Sequence, residues 1–193
     1  MKTFELKGEV RTDLGKKSSK AARVGESVPC VLYGGAENVH FTSTASDLRK
    51  LIYSPDVFVV ELEVAGKKCN AVMKALQFHP VTDKVLHIDF LQVTETKPVV
   101  VEIPVKLEGL AEGVKAGGKL ALEMRKLRVK GLYTNIPERI VIDVTSLGLG
   151  KSIQVASVSV ENLEILNAKN AVVAQVKLTR AARGAAAAAA SKK

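Results

Sequence analysis

Residues 58–93 read FVVELEVAGKKCNAVMKALQFHPVTDKVLHIDFLQV, and the spacing of their apolar side chains decides the fold class. Three runs, Phe58 to Val64, Asn70 to Leu76 and Val85 to Val93, place apolar residues at alternate positions, the period-two pattern of strands with one face in a core. Gly66-Lys67-Lys68 between the first two runs predicts a hairpin turn. Pro80 holds His79 in an extended or turn conformation. On the third run His87 and Asp89 are two apart, so they project from the same face of a strand.

Working towards the amino terminus, Phe4, Leu6 and, after a slip at Gly8, Val10 predict a first strand. Asp13-Leu14-Gly15 reads as a turn. The segment KKSSKAARVGE predicts a short helix with Ser18 as N-cap and Gly25 just past its end. Pro29 opens a second strand through Tyr33, closed by Gly34-Gly35. Leu48, Leu51 and Ile52 give residues 44–52 helical spacing, and Ser54-Pro55 stops it. Towards the carboxyl terminus, Thr94 to Pro98 is a polar joint. Beyond it the chain is valine-rich and glycine-punctuated, with strands expected at 99–108, 119–130, 139–144, 152–156 and 171–178 and a helical turn near Val144 to Leu147. Strand 119–130 has a phase error, because Leu120, Leu122 and Met124 have one parity and Leu127 and Val129 the other; a one-residue bulge at Arg125 and Lys126 would restore a single buried face. The fold class is mainly β, with residues 1–95 as one domain, 96–180 as a second, mostly antiparallel β domain, and 181–193 as a flexible, alanine-rich basic tail.

The 193 residues carry 29 Lys+Arg against 20 Asp+Glu, a net charge of +9. A hydrophobic content of 47% excludes wholesale disorder. No apolar run reaches a membrane span, and the acidic start MKTFELKGEVRTD is unlike a signal peptide. With two cysteines, Cys30 and Cys69, neither a disulfide framework nor a four-cysteine zinc site can form. These features predict a cytoplasmic chain with no membrane partner.

The charge is clustered. Residues 1–95 hold 13 basic and 12 acidic side chains, yet Arg11, Lys16, Lys17, Lys20 and Arg23 face Asp13 alone. On a helix Lys16, Lys20 and Arg23 share one face, with Ser19 beside them, a comb suited to a phosphate backbone or, on the plainer reading, a solvated charged surface. A second cluster, Arg125, Lys126, Arg128 and Lys130, is either another anionic contact or protection of a strand edge. Tyr33 at a strand end either stacks on a base or caps the core. Lys74 lies on the outer face of its strand. His87 with Asp89 suggests a triad, a metal site or a hydrogen-bonding pair that meets a ligand. A triad lacks its nucleophile elbow, and a metal site has only Cys69 or His40 to complete it. Gly117-Gly118-Lys119 lacks the spacing of a phosphate loop.

The ordered set R-x-D-L-G-K-x-x-S-x-x-x-R, VPCVLYGG and Q-x-H-P-V-x-D-K-V-x-H-I-D-F resembles the bacterial large-subunit ribosomal protein twenty-five family, which binds 5S ribosomal RNA. Residues 108–118 and 136–153 resemble the longer, two-domain branch of that family, known as the CTC or general stress protein type. The resemblance implies an N-terminal six-stranded β-barrel with short helices, followed by a β domain of uncertain role. It implies a non-enzymatic constituent of the large subunit, with 5S rRNA and neighbouring rRNA and proteins as partners and no cofactor, metal or small-molecule substrate. Arg11, Lys16, Ser19, Lys20 and Arg23 match the family's phosphate-contacting segment, Tyr33 its aromatic contact, and Lys74, His87 and Asp89 the strand positions facing RNA. Gln77 and His79 belong to the same signature. Ala21 and Phe78 depart from it, standing where some relatives carry another basic residue. Two rivals remain: a stress-related RNA-binding protein not stoichiometric on ribosomes, and a hydrolase or metal enzyme using His79, His87 and Asp89.

Overall fold

The computed structural model describes residues 1–35 and 37–180; the expected basic tail at 181–193 lies outside the described residues. Two units are present, Met1–Val99 together with Leu132–Glu138, and Val100–Gly131 together with the chain from Arg139.

The first unit contains β1 (Lys2–Val10), α1 (Lys16–Val24), β2 (Ser27–Tyr33), β3 (Val39–Thr44), α2 (Ala45–Ile52), β4 (Phe58–Val64), β5 (Lys67–Phe78) and β6 (Val85–Gln92). Its six strands close into a barrel in the order β1-β3-β2-β6-β5-β4, with β1 parallel to β4 and β2 parallel to β6. Alternation fills the interior: Leu6, Cys30, Leu32, Phe41, Leu62, Ile88 and Phe90 are buried, and α2 adds Leu48 and Leu51. The Thr44 hydroxyl accepts the Asp47 backbone N–H at 3.3 Å and caps α2. Ring centroids of Phe41 and Phe90 stand 5.8 Å apart.

Three local expectations are corrected. β1 has no slip: Gly8 keeps the inward phase of Phe4 and Leu6, and a methyl group there would overlap the Phe41 ring, while Val10 is 49% exposed. The hairpin turn is Ala65-Gly66, both at positive φ, with Val64 paired to Lys67, so β5 starts three residues earlier than expected. Ser18 is not the N-cap of α1; Gly15 is, without any side-chain cap, whereas Gly25 is the C-cap as expected.

Cys30 is 1% exposed and its thiol is pushed up to about 12, chiefly by burial, with the Asp89 charge adding to the effect and Arg11 opposing it. The folded barrel therefore holds the thiol proton more tightly than the unfolded chain. This contribution to stability is fully present below the ordinary thiol value of 9.0 and is lost as pH rises from there towards 12. Alkylation at pH 8 followed by mass spectrometry is expected to modify Cys69, which is half-buried, and to reach Cys30 only after denaturant is added. Native labelling of Cys30 would contradict this packing.

The second unit holds β7 (Val99–Glu108), α3 (Glu112–Lys115), β8 (Lys119–Leu122), β9 (Lys126–Gly131), β10 (Ile140–Asp143), β11 (Ser152–Gln154), β12 (Glu164–Ile165) and β13 (Val172–Lys177). One sheet runs β10-β7-β9-β12, and a second runs β11-β13-β8. Most pairs are antiparallel, but β10 runs parallel to β7. The phase error at 119–130 marks a change of sheet rather than a bulge. The N–H groups of Glu123 and Met124 still bond Val173 O, at 2.9 and 3.2 Å, but Arg125 O accepts from Val105 N at 2.9 Å. The chain thus leaves β13 for β7, and Leu127 and Val129 are buried in the four-stranded sheet. Residues 144–147 form a turn closed by Leu147 N–H on Val144 O; the helix is instead α3, whose Gly113 packs against the backbone of Gly148 and Leu149. Among the described residues no helix is long and apolar enough to cross a membrane.

Candidate nucleic-acid interface

Because Ile88 and Phe90 of β6 point inward, His87, Asp89 and Leu91 belong to the outer wall of the barrel. Register extends this wall on both sides. Val31 and Tyr33 of β2 lie beside Asp89 and Leu91, and Ala75 and Gln77 of β5 lie beside Asp89 and His87. The pairing of β5 with β6 shifts twice. The first shift makes Lys74 the extra residue between Met73 and Ala75 and places it on the exposed side; the second skips Leu86 between Val85 and His87. Bulges of this kind re-aim a side chain or free a backbone group without breaking the sheet.

His87 Nδ1 and Asp89 Oδ1 are 2.7 Å apart, with 28% and 30% of the side chains exposed. The carboxylate accepts the Nδ1 proton, a bond that does not use Nε2 or the second carboxylate oxygen. Tyr33 is half-buried, and its phenol is held above the ordinary value, first by burial and then by the Asp89 charge. These three residues form one electrostatically linked group.

Helix α1 borders the wall next to β2 and buries no residue. Lys16, Lys17 and Lys20 are exposed and, among the described residues, make no ion pair. Its two arginine neighbours are engaged. Arg11 Nη2 donates to Ser18 Oγ at 3.1 Å, Ser19 Oγ at 3.2 Å and Asp13 O at 3.2 Å. Arg23 Nε donates to Leu86 O at 3.0 Å. The structure therefore brings Tyr33, Lys74, His87 and Asp89 onto one wall and sets the basic helix at its border. Lys17, which the helical-face argument omits, is as accessible as Lys16 and Lys20; Gln77, beside His87, is exposed on the wall itself.

His79 does other work. Its Nδ1 accepts the N–H groups of Val81 and Thr82, at 3.3 and 3.2 Å, while its backbone N–H donates to Lys84 O at 2.8 Å. It organises the β5–β6 connection. Among the described residues no three His, Cys, Asp or Glu side chains are placed to hold a metal ion. The second basic cluster does not protect a strand edge either. β9 is flanked on both sides, Arg128 pairs with Glu102 at 3.2 Å and Lys130 with Glu164 at 3.8 Å.

The wall and its border combine exposed lysines with a ring hydroxyl, an imidazole and a carboxylate, the side-chain types that can meet phosphates, base edges and ribose hydroxyls. Comparison with known sequences identifies relatives of both units. Residues 6–90 match the Ribosomal L25p family, and residues 98–180 match the description "Ribosomal protein TL5, C-terminal domain". The chain is 58% identical over 192 residues to the large ribosomal subunit protein bL25 of Phocaeicola vulgatus, covering 96% of this chain and 97% of the relative. It is 59% identical to that of Bacteroides fragilis over 194 residues, covering 98% and 99%. It is 60% identical to that of Porphyromonas gingivalis over 187 residues, covering 96% and 97%.

Proposed function

The chain belongs to the ribosomal L25p family in its long, two-domain form, and on that premise we propose that it is a structural constituent of the large ribosomal subunit that binds 5S rRNA through the outer wall of its barrel. The observation that carries the proposal is the convergence of Tyr33, Lys74, His87 and Asp89 on the β2-β6-β5 wall beside the exposed lysines of α1. Residues 1–95 carry this task. Lys16, Lys17 and Lys20 neutralise phosphates and set the register of the RNA, while the half-buried Tyr33–His87–Asp89 group, unlike a lysine, reads groups that both donate and accept. A wide, shallow RNA minor groove presents ribose hydroxyls and base edges to such a flat surface. The reading asks for no bond-breaking chemistry, in keeping with a ribosomal structural family rather than an enzymatic one.

Salt dependence tests it. For the full-length protein and 5S rRNA, the slope of log K against log salt is expected to shrink by about 0.7–0.9 for each lost phosphate contact. Lys16→Ala, Lys17→Ala and Lys20→Ala should each weaken binding and flatten this slope, with the triple variant flattest. A slope indifferent to all three substitutions would sink the assignment of α1 to the interface.

A further inference from the structure

Helix α1 should be marginal on its own. It has nine residues, Gly15 as an N-cap with no side-chain bond, no acidic residue in its first turn and no buried side chain. An isolated helix shorter than about 12–15 residues is unstable in water, and here Lys16, Lys17 and Lys20 also repel one another. Its polar ties to the barrel sit at its two ends. At the start, one nitrogen of Arg11, itself fixed by its N–H on His40 O at 2.9 Å, reaches Ser18 Oγ, Ser19 Oγ and Asp13 O, and Ser18 Oγ donates to Asp13 O at 2.9 Å. At the end, Arg23 Nε donates to Leu86 O, the carbonyl of the residue that the second β5–β6 shift takes out of register. That bulge leaves a backbone acceptor next to His87, and the helix uses it.

We propose that Arg11 and Arg23 are positioning residues: two guanidinium struts that lock α1 against the barrel so that its lysines and the His87–Asp89 pair present one continuous surface. This rests on the RNA-binding reading above and assigns the two arginines a role different from phosphate neutralisation. The struts hold α1 in the free protein, so that the order of the helix does not have to be created when RNA arrives. Arg23 is the sharper case, because a lysine at position 23 keeps the charge but lacks a donor at the Nε position within a planar fork.

The test uses the full-length protein with Arg11→Lys, Arg23→Lys and Arg23→Ala, read in two ways. Hydrogen exchange of the free protein should accelerate at least about tenfold at the α1 amides in all three variants, with β5 and β6 amides unchanged. Titration with 5S rRNA should then show weaker binding with the parent salt slope, and Arg23→Lys should resemble Arg23→Ala. Unchanged α1 exchange would overturn the proposal. So would a slope that falls by about 0.7–0.9 in Arg23→Ala and returns in Arg23→Lys, since that is the signature of a phosphate contact. If exchange accelerates but RNA binding is indifferent both to these variants and to the lysine substitutions, the RNA-binding reading fails while the struts stand.

Discussion

Asp89→Ala is expected to weaken 5S rRNA binding on the order of 30-fold or more while leaving the barrel folded. The carboxylate does three things at once. It accepts the His87 Nδ1 proton at 2.7 Å, it thereby holds the ring in one tautomer, and its charge adds to burial in raising the Tyr33 phenol above its ordinary value. Removing it frees the imidazole to rotate and to change tautomer, so two contacts are lost with one side chain. A hydrogen bond to a charged group contributes about 1.5–3 kcal/mol, and each 1.4 kcal/mol is about tenfold in affinity. Because both side chains are close to a third exposed, water replaces the lost partner in the free protein and folding stability should change by less than about 1 kcal/mol. Asn at position 89 separates the roles: it keeps an acceptor for His87 but removes the charge, so its binding defect should fall between parent and Asp89→Ala. In both variants the spectroscopic titration of Tyr33 should move down towards the ordinary phenol value without reaching it, since burial, the larger cause, persists. The salt slope should not change, because a carboxylate neutralises no phosphate. If Tyr33 moves as stated and RNA affinity does not, the pair lies outside the interface.

Much of this wall is legible in the sequence, because strand alternation is a strict rule. Once Ile88 and Phe90 are read as core, His87 and Asp89 have to face outward together. What alternation cannot supply is which strands become neighbours. The proximity of Tyr33 to Asp89 depends on β2 running parallel to β6, and parallel partners are brought together by closure of the barrel rather than by a local turn. β3 escaped for a related reason: its apolar markers are only Val39 and Phe41, while Ser43 is buried with its hydroxyl on Lys7 O at 3.1 Å. Hydrophobicity under-reports a strand whose inward positions include a satisfied polar group. At 119–130 the parity of the apolar residues is in conflict, but such a conflict has two solutions, a bulge or a change of sheet, and only tertiary pairing selects between them.

Charge was the least informative signal. Of the net +9 only +1 belongs to residues 1–95, and in the second unit the Arg128 and Lys130 cations are matched by Glu102 and Glu164 across neighbouring strands. Exposed pairs of this kind contribute about 0–1 kcal/mol, yet they lower the local potential that an RNA would feel. Among the described residues no acid pairs with Lys16, Lys17 or Lys20 of α1, and Arg11 and Arg23 are tied to hydroxyl and carbonyl oxygens, which leave their charge in place. The difference between the clusters is therefore one of neighbours rather than of count.

The largest expected effect on stability comes from the aromatic pair at the centre of the barrel. Phe41 and Phe90 are both 0% exposed, in contact across the interior from β3 and β6. Phe41→Ala or Phe90→Ala should each cost about 3–5 kcal/mol, the transfer loss of a ring plus the cavity left in a closed wall that cannot collapse. That is a large share of the roughly 5–15 kcal/mol that holds a domain together. Urea unfolding of the barrel can be followed by the appearance of Cys30 reactivity, which isolates this unit from the other. Gly8 makes the test specific to the packing rather than to lost hydrophobicity. In the parent, Gly8→Ala drives a methyl group into the Phe41 ring and should cost about 1–3 kcal/mol. In the Phe41→Ala background the ring is gone, so the same substitution should be neutral or stabilising, because alanine is less costly than glycine in a strand and fills part of the void. The resulting coupling of about 1–3 kcal/mol is far above the few tenths expected for independent sites. Additive costs in this cycle, or a Phe41→Ala penalty below about 1 kcal/mol, would show that Gly8 and Phe41 do not meet in the barrel as described.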